Sequence, residues 1–387
     1  MKTDAIKLTD QELRSSRGGA ALAFGLGRSL SLILLLTISC SSSLAADSKF
    51  YFPPAGVEWE KIEATDAGWN ADKLNAALKL AGDSKSSGVV VLWKGRILAE
   101  EYWSLKDREG VSRRYFGGRR GEDAAGRAIE DVASCQKSVV AILTGMARER
   151  GLIEIEKPAS EYLGKGWSKA SPEQEAKITV RHLLTMTSGL TDALAYQAPA
   201  GSRWRYNSTA YSRTRDAIAK GSGKSANDFT RKWLTSRIGM NDSSWAQRPG
   251  AVRDPQQNQL GFATTARDLA RLGLLVLARG DWNGETILKD EAFLKEILSP
   301  SQKLNPSYGY LWWLNGQKTP AQGRRKARNS MIPNAPNDLV AANGALGRKL
   351  WVVPSLDLIV TRLGDTPRQG FDNQFWRLMM EAAPKKR

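Results

Sequence analysis

The sequence predicts an α/β fold, in which an antiparallel sheet is flanked by helices and a second part is mostly helical. Three observations support this prediction: β-rich segments occur towards both ends of the chain, helical periodicity fills the middle, and Gly and Pro separate the segments. The chain has 387 residues, of which 41% are hydrophobic and 25% charged. This composition is typical of a globular protein, and the length favours two domains or one domain with a large insertion.

Strands are predicted on both sides of the helical segment. Residues 88–103 indicate a β-hairpin, because two β-rich runs flank a Lys94-Gly95 turn. β-rich character returns after Pro306, in the segments 308–314, 349–353 and 358–363. If these strands share one sheet, the α/β part covers about 46–133 and 306–387, and the helical segment is an insertion between them.

Helices are predicted between these strands and at the end of the chain. Apolar residues with helical spacing begin near Ser134 and stop at Gly151. Residues 265–275 have the same spacing with good helix formers, and a last helix is predicted over about 373–382. The helical part is therefore assigned to about 134–305.

Residues 1–45 are predicted to be a signal peptide. Arg28 precedes an apolar run, Leu30–Ile38, that is too short to cross a bilayer as a helix. Small residues follow and end in Ser43-Leu44-Ala45-Ala46, a typical signal-peptidase site. As an alternative, Cys40 would anchor a lipoprotein to the membrane. We expect export to the periplasm or the extracellular space, with residues 46–387 as the domain of the exported protein.

The formal net charge of +17 raises the question of an anionic partner. The basic clusters Arg113-Arg114, Arg119-Arg120 and 324–328 lie in loop-like stretches, and residues 116–127 form a predicted loop rich in Gly and Arg. No aromatic residues interleave with these clusters on a helix face, and no zinc-finger or RNA-binding signature accompanies them. We therefore predict a solvated basic surface and no nucleic-acid partner.

The chain has one histidine and two cysteines, and these counts exclude several kinds of site. Signal cleavage would remove Cys40, so Cys135 would have no disulfide partner and is interpreted as a buried apolar residue. His182 lies beside the apolar residues of 183–186 and is interpreted as structural, which argues against a Ser-His-Asp triad. A His/Cys zinc site is excluded by the same counts, and we predict no metal and no cofactor.

Ser134 and Lys137 form an S-x-x-K motif at the start of a predicted helix. Residues three apart share a helix face, so the Lys137 amine can reach the Ser134 hydroxyl. A serine hydroxyl needs a neighbouring base, and lysine can be that base only if burial or nearby cations lower its pKa. The helix N-terminus adds N–H groups suited to a developing oxyanion. The pattern predicts Ser134 as the nucleophile, although S-x-x-K alone is a common sequence.

Further motifs follow the S-x-x-K motif: Gly151-Leu152-Ile153, Tyr162-Leu163, 178–190, 264–270, Trp282-Asn283-Gly284, 308–313 and Gly347-x-x-Leu350-Trp351-Val352-Val353-Pro354. With the hairpin they extend over about 280 residues, from 88 to 365. In this combination the sequence resembles the β-lactamase-related serine hydrolases, which include class C β-lactamases, D-alanyl-D-alanine carboxypeptidases, esterases and 6-aminohexanoate-dimer hydrolases. The resemblance implies a β-lactamase/transpeptidase-like fold with the active site in a cleft between the two parts.

The resemblance implies roles for Tyr206 and Ser208. The family's second motif, Tyr-x-Asn, is replaced here by Tyr206-Asn207-Ser208. By resemblance, Tyr206 acts with Lys137 as general base and later protonates the leaving group. A nearby ammonium favours either phenolate character of the tyrosine or a strong Tyr–Ser hydrogen bond. Ser208 is shorter than Asn but can donate and accept a hydrogen bond, a replacement similar to the 6-aminohexanoate-dimer hydrolase branch.

The family's third motif, Lys-Thr-Gly or His-x-Gly, corresponds to Ala342-Asn343-Gly344. The resemblance implies that Asn343 and Gly344 lie beside the substrate, and that the N–H of Ala345 completes an oxyanion hole with that of the nucleophile. Ala342 departs from the pattern, because alanine offers no polar group to a penicillin carboxylate. A charge-assisted contact contributes about 1.5–3 kcal/mol. We therefore expect poor β-lactamase activity, unless Arg348 replaces that contact.

Together these observations predict a secreted serine hydrolase that cleaves a small-molecule carboxylic ester or small amide through an acyl-enzyme on Ser134. Hydrolysis of 6-aminohexanoate dimers is a specific candidate. Two alternatives stay open: a D-Ala-D-Ala carboxypeptidase or weak β-lactamase, and a non-catalytic penicillin-recognising sensor or structural protein. The missing polar group at 342 argues against the first, and the intact Lys137 and Tyr206 argue against the second. The sequence leaves the oligomeric state open.

Overall fold

The structure, a computed structural model, describes residues 49–56, 58–248, 258–321 and 326–385. The predicted signal peptide, including Cys40, lies outside these residues. Within them, no helix is long and apolar enough to cross a membrane. The strands of this part of the chain are β1 (Ser86–Trp93), β2 (Arg96–Tyr102), β3 (Arg119–Glu122), β4 (Ala128–Asp131), β5 (Ser244–Gln247), β6 (Leu260–Thr264), β7 (Asp281–Trp282), β8 (Glu285–Thr286), β9 (Trp313–Leu314), β10 (Val340–Asn343), β11 (Lys349–Val353) and β12 (Leu358–Gly364).

Helices occupy much of the chain between β4 and β9, as the sequence predicts, although β5 to β8 lie in the same segment. Short 3₁₀ turns cover Ala133–Cys135, Ala345–Gly347 and Pro354–Leu356, and a π turn covers Arg231–Thr235. The α-helices of the described residues are α1 (Ala71–Asp83), α2 (Arg113–Gly118), α3 (Gln136–Glu149), α4 (Ala159–Leu163), α5 (Pro172–Glu175), α6 (Val180–Leu184), α7 (Ser212–Ser222), α8 (Ala226–Thr230), α9 (Ala266–Leu277), α10 (Glu291–Ile297) and α11 (Phe371–Ala382).

The main sheet has six strands in the order β2-β1-β12-β11-β10-β9, with antiparallel pairing throughout. Its central strands are covered on both faces. Successive side chains of a strand point to opposite faces, so Val89 and Val91 pack with α1 and α11, whereas Val90 and Leu92 pack with α3 and α9. The predicted hairpin is confirmed as β1 and β2, and the predicted α/β class, a sheet flanked by helices, is confirmed as well.

One predicted strand is mostly a turn. The sequence predicts a strand over 308–314, but only its last two residues pair with β10 as β9. Leu311 has a φ of 59°, and Tyr308 forms an isolated bridge to Trp313. The chain therefore turns back on itself here, and its β-rich composition reflects buried aromatic packing rather than an extended backbone.

A second sheet, in the order β3-β4-β6-β5, leads into the turn that contains Ser134. The predicted loop over 116–127 is wrong in part, because residues 116–118 belong to α2 and residues 119–122 form β3 and pair with β4. Arg113 and Arg114, predicted to lie in a loop-like stretch, begin α2. β4 pairs in turn with β6, which lies in the segment predicted to be mostly helical. Since β4 ends at Asp131, three residues before Ser134, this sheet fixes the start of the segment that contains Ser134.

The backbone around Ser134 is held against β10. Ser134 lies in a 3₁₀ turn, and α3 proper begins two residues later at Gln136. The thiol of Cys135 is 3.3 Å from the carbonyl oxygen of Ala342 and donates to it. Gly344 permits this approach, because a Cβ at that position would stand 2.3 Å from the carbonyl oxygen of Val132. The position of the nucleophile thus depends on close contact between two distant segments of the chain.

Replacement of Gly344 by alanine is expected to destabilise the protein by about 1–3 kcal/mol, because the added methyl group forces backbone to move. The free energy of unfolding, measured in urea, tests this. Gly117→Ala is the matched control, since a Cβ there meets nothing within 4 Å, and it should leave stability unchanged or raise it by up to about 1 kcal/mol. Equal stability of the two variants would contradict the proposed close contact.

Candidate active site

The side chains of Ser134, Lys137 and Ser208 meet in one hydrogen-bonded group. The Lys137 Nζ donates to the Ser134 Oγ at 2.9 Å and to the Ser208 Oγ at 3.2 Å. The first distance follows from the one-turn separation of the two residues at the start of α3. The second brings in a residue from the segment before α7, so the group joins two parts of the chain. The structure therefore places these three predicted site residues together.

Burial controls the protonation of Lys137. Only 3% of the residue is exposed, and none of the ion pairs among the described residues involves it. Desolvation, and secondarily the charge of Arg248, lowers the pKa of the Lys137 amine from 10.5 to about 7. Cation–π contacts with the rings of Tyr206 and Tyr211 stabilise the ammonium form instead, since the ring centroids lie 4.7 and 4.4 Å from Nζ. At neutral pH a substantial fraction of this amine is a free base beside the Ser134 hydroxyl.

Tyr206 completes this group, in the protonated form. Burial raises the pKa of its phenol well above the ordinary value, while a hydrogen bond with Ser134 opposes that shift. The raised pKa argues against phenolate character in the free protein, because desolvation by burial outweighs the interactions that lower this pKa. A protonated phenol agrees with the expected hydrogen bond between Tyr206 and Ser134.

An aromatic wall holds the Tyr206 ring. Trp313 stacks on it with centroids 5.9 Å apart at an interplanar angle of 25°, and Tyr308 packs edge-on at 6.3 Å. Trp204 contacts all three rings. The turn that replaces the predicted strand over 308–314 thus supplies two members of this wall. Two further tryptophans, Trp245 and Trp312, are buried in the core.

Two backbone N–H groups are available for an oxyanion. Within the described part of the chain, neither the N–H of Ser134 nor that of Ala345 donates a hydrogen bond. Both residues line the cleft described below. Unpaired N–H groups beside a nucleophile are the arrangement that stabilises a tetrahedral intermediate. This placement supports the predicted oxyanion role of Ala345.

Asn343 and Gly344, which the resemblance places beside the substrate, lie outside the lining of this cleft. Gly344 packs behind Ser134, and its N–H donates to the carbonyl oxygen of Arg348 at 2.8 Å. The Asn343 side chain accepts from Lys349 at 3.2 Å and contacts Met331. Ala342 faces α3, so the alternation of β10 turns Asn343 to the opposite face of the sheet. Nothing in the structure supports the predicted substrate contact of Asn343.

A cleft of about 760 Å³ opens above Ser134. Its walls come from α2, the start of α3, the segment around Ser208 and the turn after β10. The predicted residues Ser134, Lys137, Ser208 and Ala345 line it. The remaining lining residues are Arg114, Gly117, Gly118, Arg120, Asp131, Ala133, Gln136, Asp192, Thr209, Arg248, Asn258 and Arg348.

His182 and Cys135 have structural roles, as the sequence predicts. His182 forms a capping box with Thr179 at the start of α6. Cys135 is fully buried, and burial raises the pKa of its thiol to about 12, so it is not a thiolate nucleophile. In the described residues no group of three or more His, Cys, Asp or Glu side chains could hold a metal ion.

The arginines of the cleft were not predicted as site residues. Arg114 and Arg120 belong to clusters interpreted there as solvated surface, yet both line the cleft. Arg248 binds Asp131 through two hydrogen bonds of 2.7 and 2.9 Å, and Asp131 accepts from the N–H of Ala133 at 2.8 Å. Asp131 therefore orients the backbone just before the nucleophile. The Gly-rich sequence around Arg114 and Arg120 was the available indication of a site.

Comparisons of the sequence and of the structure with known proteins agree on one family. Residues 80–382 match the family model described as Beta-lactamase. An uncharacterized protein of Alkalihalophilus pseudofirmus is 24% identical over 308 residues, which are 72% of this chain and 84% of that protein. A Bacillus anthracis structure described as a 6-aminohexanoate-dimer hydrolase is 17% identical with a TM-score of 0.59, over 86% of this chain and 88% of that one. A class C beta-lactamase structure is 14% identical with a TM-score of 0.58, over 81% of this chain and 97% of that one.

The chain belongs to the Beta-lactamase family, whose members are serine hydrolases, because the family model matches more than half of its length. The structural likenesses, at 17% identity and below, show the fold. The resemblance and the β-lactamase/transpeptidase-like fold that the sequence predicts are thereby confirmed.

The reactivity of Ser134 is expected to follow the protonation of Lys137. The rate of modification by a fluorophosphonate should rise with pH and level off above about pH 7, the lowered pKa of that amine. Lys137→Met should react about a hundredfold more slowly or worse and should lose the inflection. Mass spectrometry of the intact protein measures both rates, with Ser134→Ala as the unlabelled control. An inflection near pH 10 would show that Lys137 keeps its ordinary pKa.

The same substitution should stabilise the folded protein. Folding lowers the pKa of the Lys137 amine from 10.5 to about 7. Below pH 7 the amine is charged in both the folded and the unfolded state, so burial of the charge lowers the free energy of unfolding by its full amount. This cost disappears as the pH approaches 10.5, where the amine is neutral in both states. Lys137→Met is therefore expected to raise the free energy of unfolding by roughly 2–4 kcal/mol at pH 6, with a smaller gain at pH 10. Urea unfolding at both pH values measures the difference. The exposed Lys106→Met is the control and should change neither value.

Proposed function

We propose that the protein hydrolyses a carboxylic ester or a small amide through an acyl-enzyme on Ser134. One observation carries the proposal: a buried lysine amine with a pKa near 7 lies 2.9 Å from the serine hydroxyl. A serine becomes nucleophilic only when a base can take its proton in the working pH range. Membership in a family of serine hydrolases supports the same conclusion.

In the first step the neutral Lys137 amine takes the proton of Ser134 as its Oγ attacks the substrate carbonyl. The N–H groups of Ser134 and Ala345 stabilise the oxyanion of the tetrahedral intermediate. Collapse of the intermediate breaks the ester or amide bond. The leaving group takes up a proton from the Lys137 ammonium, relayed by the Tyr206 hydroxyl that hydrogen-bonds with Ser134. The product of this step is an acyl-enzyme and a free alcohol or amine.

In the second step water attacks the acyl-enzyme, with the same base now accepting a proton from water. The carbonyl again develops negative charge at the two N–H groups, and collapse returns the proton to the Ser134 Oγ while the acid leaves. The hydrogen bond from Lys137 to Ser208 keeps the amine in place in both steps. No other group needs to change protonation between the steps.

Penicillins are expected to be poor substrates. Ala342 is 1% exposed, and it offers no polar side chain at the position that helps to hold the drug's carboxylate in related enzymes. The alternative of a D-Ala-D-Ala carboxypeptidase or weak β-lactamase has less support for this reason. The fold likeness to the Bacillus anthracis protein described as a 6-aminohexanoate-dimer hydrolase, together with Ser208 in the second motif, favours a small amide as one substrate to test.

We also propose that the protein acts outside the cytoplasm on a small-molecule substrate. The apolar run before Ala45 and Ala46 supports export, with lipid attachment at Cys40 as the alternative. Intact mass of the protein purified from its native cells distinguishes the two, because lipid attachment leaves Cys40 as the first residue and adds the mass of acyl chains.

A panel of 4-nitrophenyl esters and short amides, including the 6-aminohexanoate dimer, tests the proposed activity. Wild-type protein should hydrolyse esters at pH 8, and Ser134→Ala should lose about a thousandfold or more in kcat/KM. Intact mass after penicillin treatment should show little adduct, whereas a fluorophosphonate should add one label. No label from either reagent on folded protein would support the non-catalytic alternative, and a penicillin adduct alone would support the cell-wall enzyme.

A further inference from the structure

Arg248, directly after β5, contacts the chain on both sides of Ser134. Its guanidinium donates two hydrogen bonds, of 2.7 and 2.9 Å, to the carboxylate of Asp131, which precedes the serine at the end of β4. The same guanidinium donates at 2.9 Å to the side-chain oxygen of Gln136, which follows the serine at the start of α3. One side chain thus holds both flanks of the turn that contains Ser134.

On the side of Asp131, this contact acts on a strained residue. Ala133 has a φ of 51°, a left-handed conformation that costs free energy for any residue with a Cβ. The Asp131 carboxylate accepts from the N–H of Ala133 at 2.8 Å and stabilises this conformation. β6 lies directly behind the carboxylate, because a Cβ on Gly261 would stand 2.2 Å from its Oδ2. The conformation of the residue just before Ser134 therefore depends on Asp131.

On the side of Gln136, hydrogen bonds continue to a ring beside Lys137. The Gln136 oxygen accepts from Arg248 and, at 3.0 Å, from the N–H of Phe262. Because both partners can only donate, the Gln136 amide N–H faces the other way, and it donates to the hydroxyl of Tyr211. The Tyr211 ring is fully buried, and its centroid lies 4.4 Å from the Lys137 Nζ. Two hydrogen bonds therefore connect Arg248 to a ring that contacts the proposed base.

Arg248 also acts on Lys137 through its charge. Burial lowers the pKa of the Lys137 amine, and the positive charge of Arg248 lowers it further. Burial opposes the charge of Arg248 as well, but the hydrogen bonds and the charge of Asp131 raise the pKa of Arg248 above its ordinary value, so it remains a cation. Burial also raises the pKa of neighbouring titratable side chains, which are therefore neutral: Cys135, Tyr206 and Tyr211.

We propose that Asp131 and Arg248 act together as positioning residues for the reaction at Ser134. Asp131 fixes the turn from which the serine attacks. Arg248 holds Asp131, fixes the ring beside Lys137 through Gln136, and disfavours a second positive charge at the amine. Neither residue is required to touch the reacting atoms. The inference rests on the proposed function and adds to it two residues outside the S-x-x-K and Tyr-x-Ser motifs.

The pH dependence of labelling by a neutral fluorophosphonate tests Arg248. Arg248→Gln should move the inflection upward by about half a pH unit or more, because a cation near Lys137 is lost. The plateau rate should fall by about tenfold or more, because the turn of Ser134 is held less well. Arg113→Gln, an exposed arginine outside the cleft lining with the same charge change, should keep both values. A wild-type inflection or a wild-type plateau rate in folded Arg248→Gln would overturn the proposal.

Arg248→Lys separates position from charge, and it also serves if Arg248→Gln does not fold. Lysine keeps the cation but cannot bind Asp131 through two parallel hydrogen bonds while it reaches Gln136. The inflection should stay near pH 7, whereas the plateau rate should still fall by about threefold or more. A plateau rate equal to that of wild type would show that charge alone matters and would overturn the positioning role.

Ala133→Gly tests Asp131, because glycine adopts the left-handed conformation without strain. Asp131→Ala should lower the plateau rate by about tenfold or more, and it should lower the midpoint of urea unfolding. Adding Ala133→Gly to this variant should recover about threefold or more of the rate and part of the midpoint. In the wild-type background the same glycine should bring no such gain. An equal effect of glycine in the two backgrounds, in rate or in midpoint, would overturn the role of Asp131.

Two readouts separate this inference from the proposed function. The urea midpoints need no reaction, and neither does NMR titration of the Lys137 Cε resonance, which is assigned by its absence in Lys137→Met. The titrated pKa should rise in Arg248→Gln and stay unchanged in Arg113→Gln. If it does so and glycine recovers the midpoint, while no reagent labels folded wild-type protein, the proposed function fails and the arrangement stands. If wild type is labelled but Lys137 titrates equally in Arg248→Gln, the proposed function stands and this inference is overturned.

Discussion

The site depends on the removal of the Lys137 amine from water. A lysine on a solvated surface would stay charged at neutral pH and could only donate to Ser134. Here burial against two tyrosine rings lowers its pKa to about 7, without a carboxylate that would restore the charge. The same desolvation raises the pKa of the Tyr206 phenol, so one physical effect supports the roles proposed for both residues, the base and the proton carrier. The proposed base is obtained at the expense of folding stability.

The rest of the fold maintains that dry environment. α3 packs between the main sheet and the helical segment and is buried from Gln136 to Ala147, so the amine at its first turn has little route to water. Trp313 and Tyr308, which follow the helical segment, cover Tyr206 from outside. Gly344 and Cys135 set β10 directly against the nucleophile's turn. Several small contacts from separate parts of the chain thus help to keep the Lys137 amine buried.

Local patterns predicted much of this structure, because they depend on neighbouring residues alone. The hairpin at 88–103, α3 and the Ser134–Lys137 pair each follow from spacing within a few residues. Features set by long-range contacts were not predictable in this way. Leu311 has a positive φ, and no glycine at that position indicates the turn in the sequence. Asn343 faces away from the cleft because of its register on β10. The packing of α2 likewise depends on a distant residue, because Gly118 lies against the guanidinium of Arg348.

Cys135 gives the molecule an internal reporter. It is the free cysteine of the described residues, and it lies between Ser134 and Gln136 with its thiol bonded to the carbonyl oxygens of Ala342 and Arg348. Thiol reagents can therefore reach it only when α3 separates from β10. The rate of alkylation of this one sulfur atom measures how often α3 separates from β10 in the native protein.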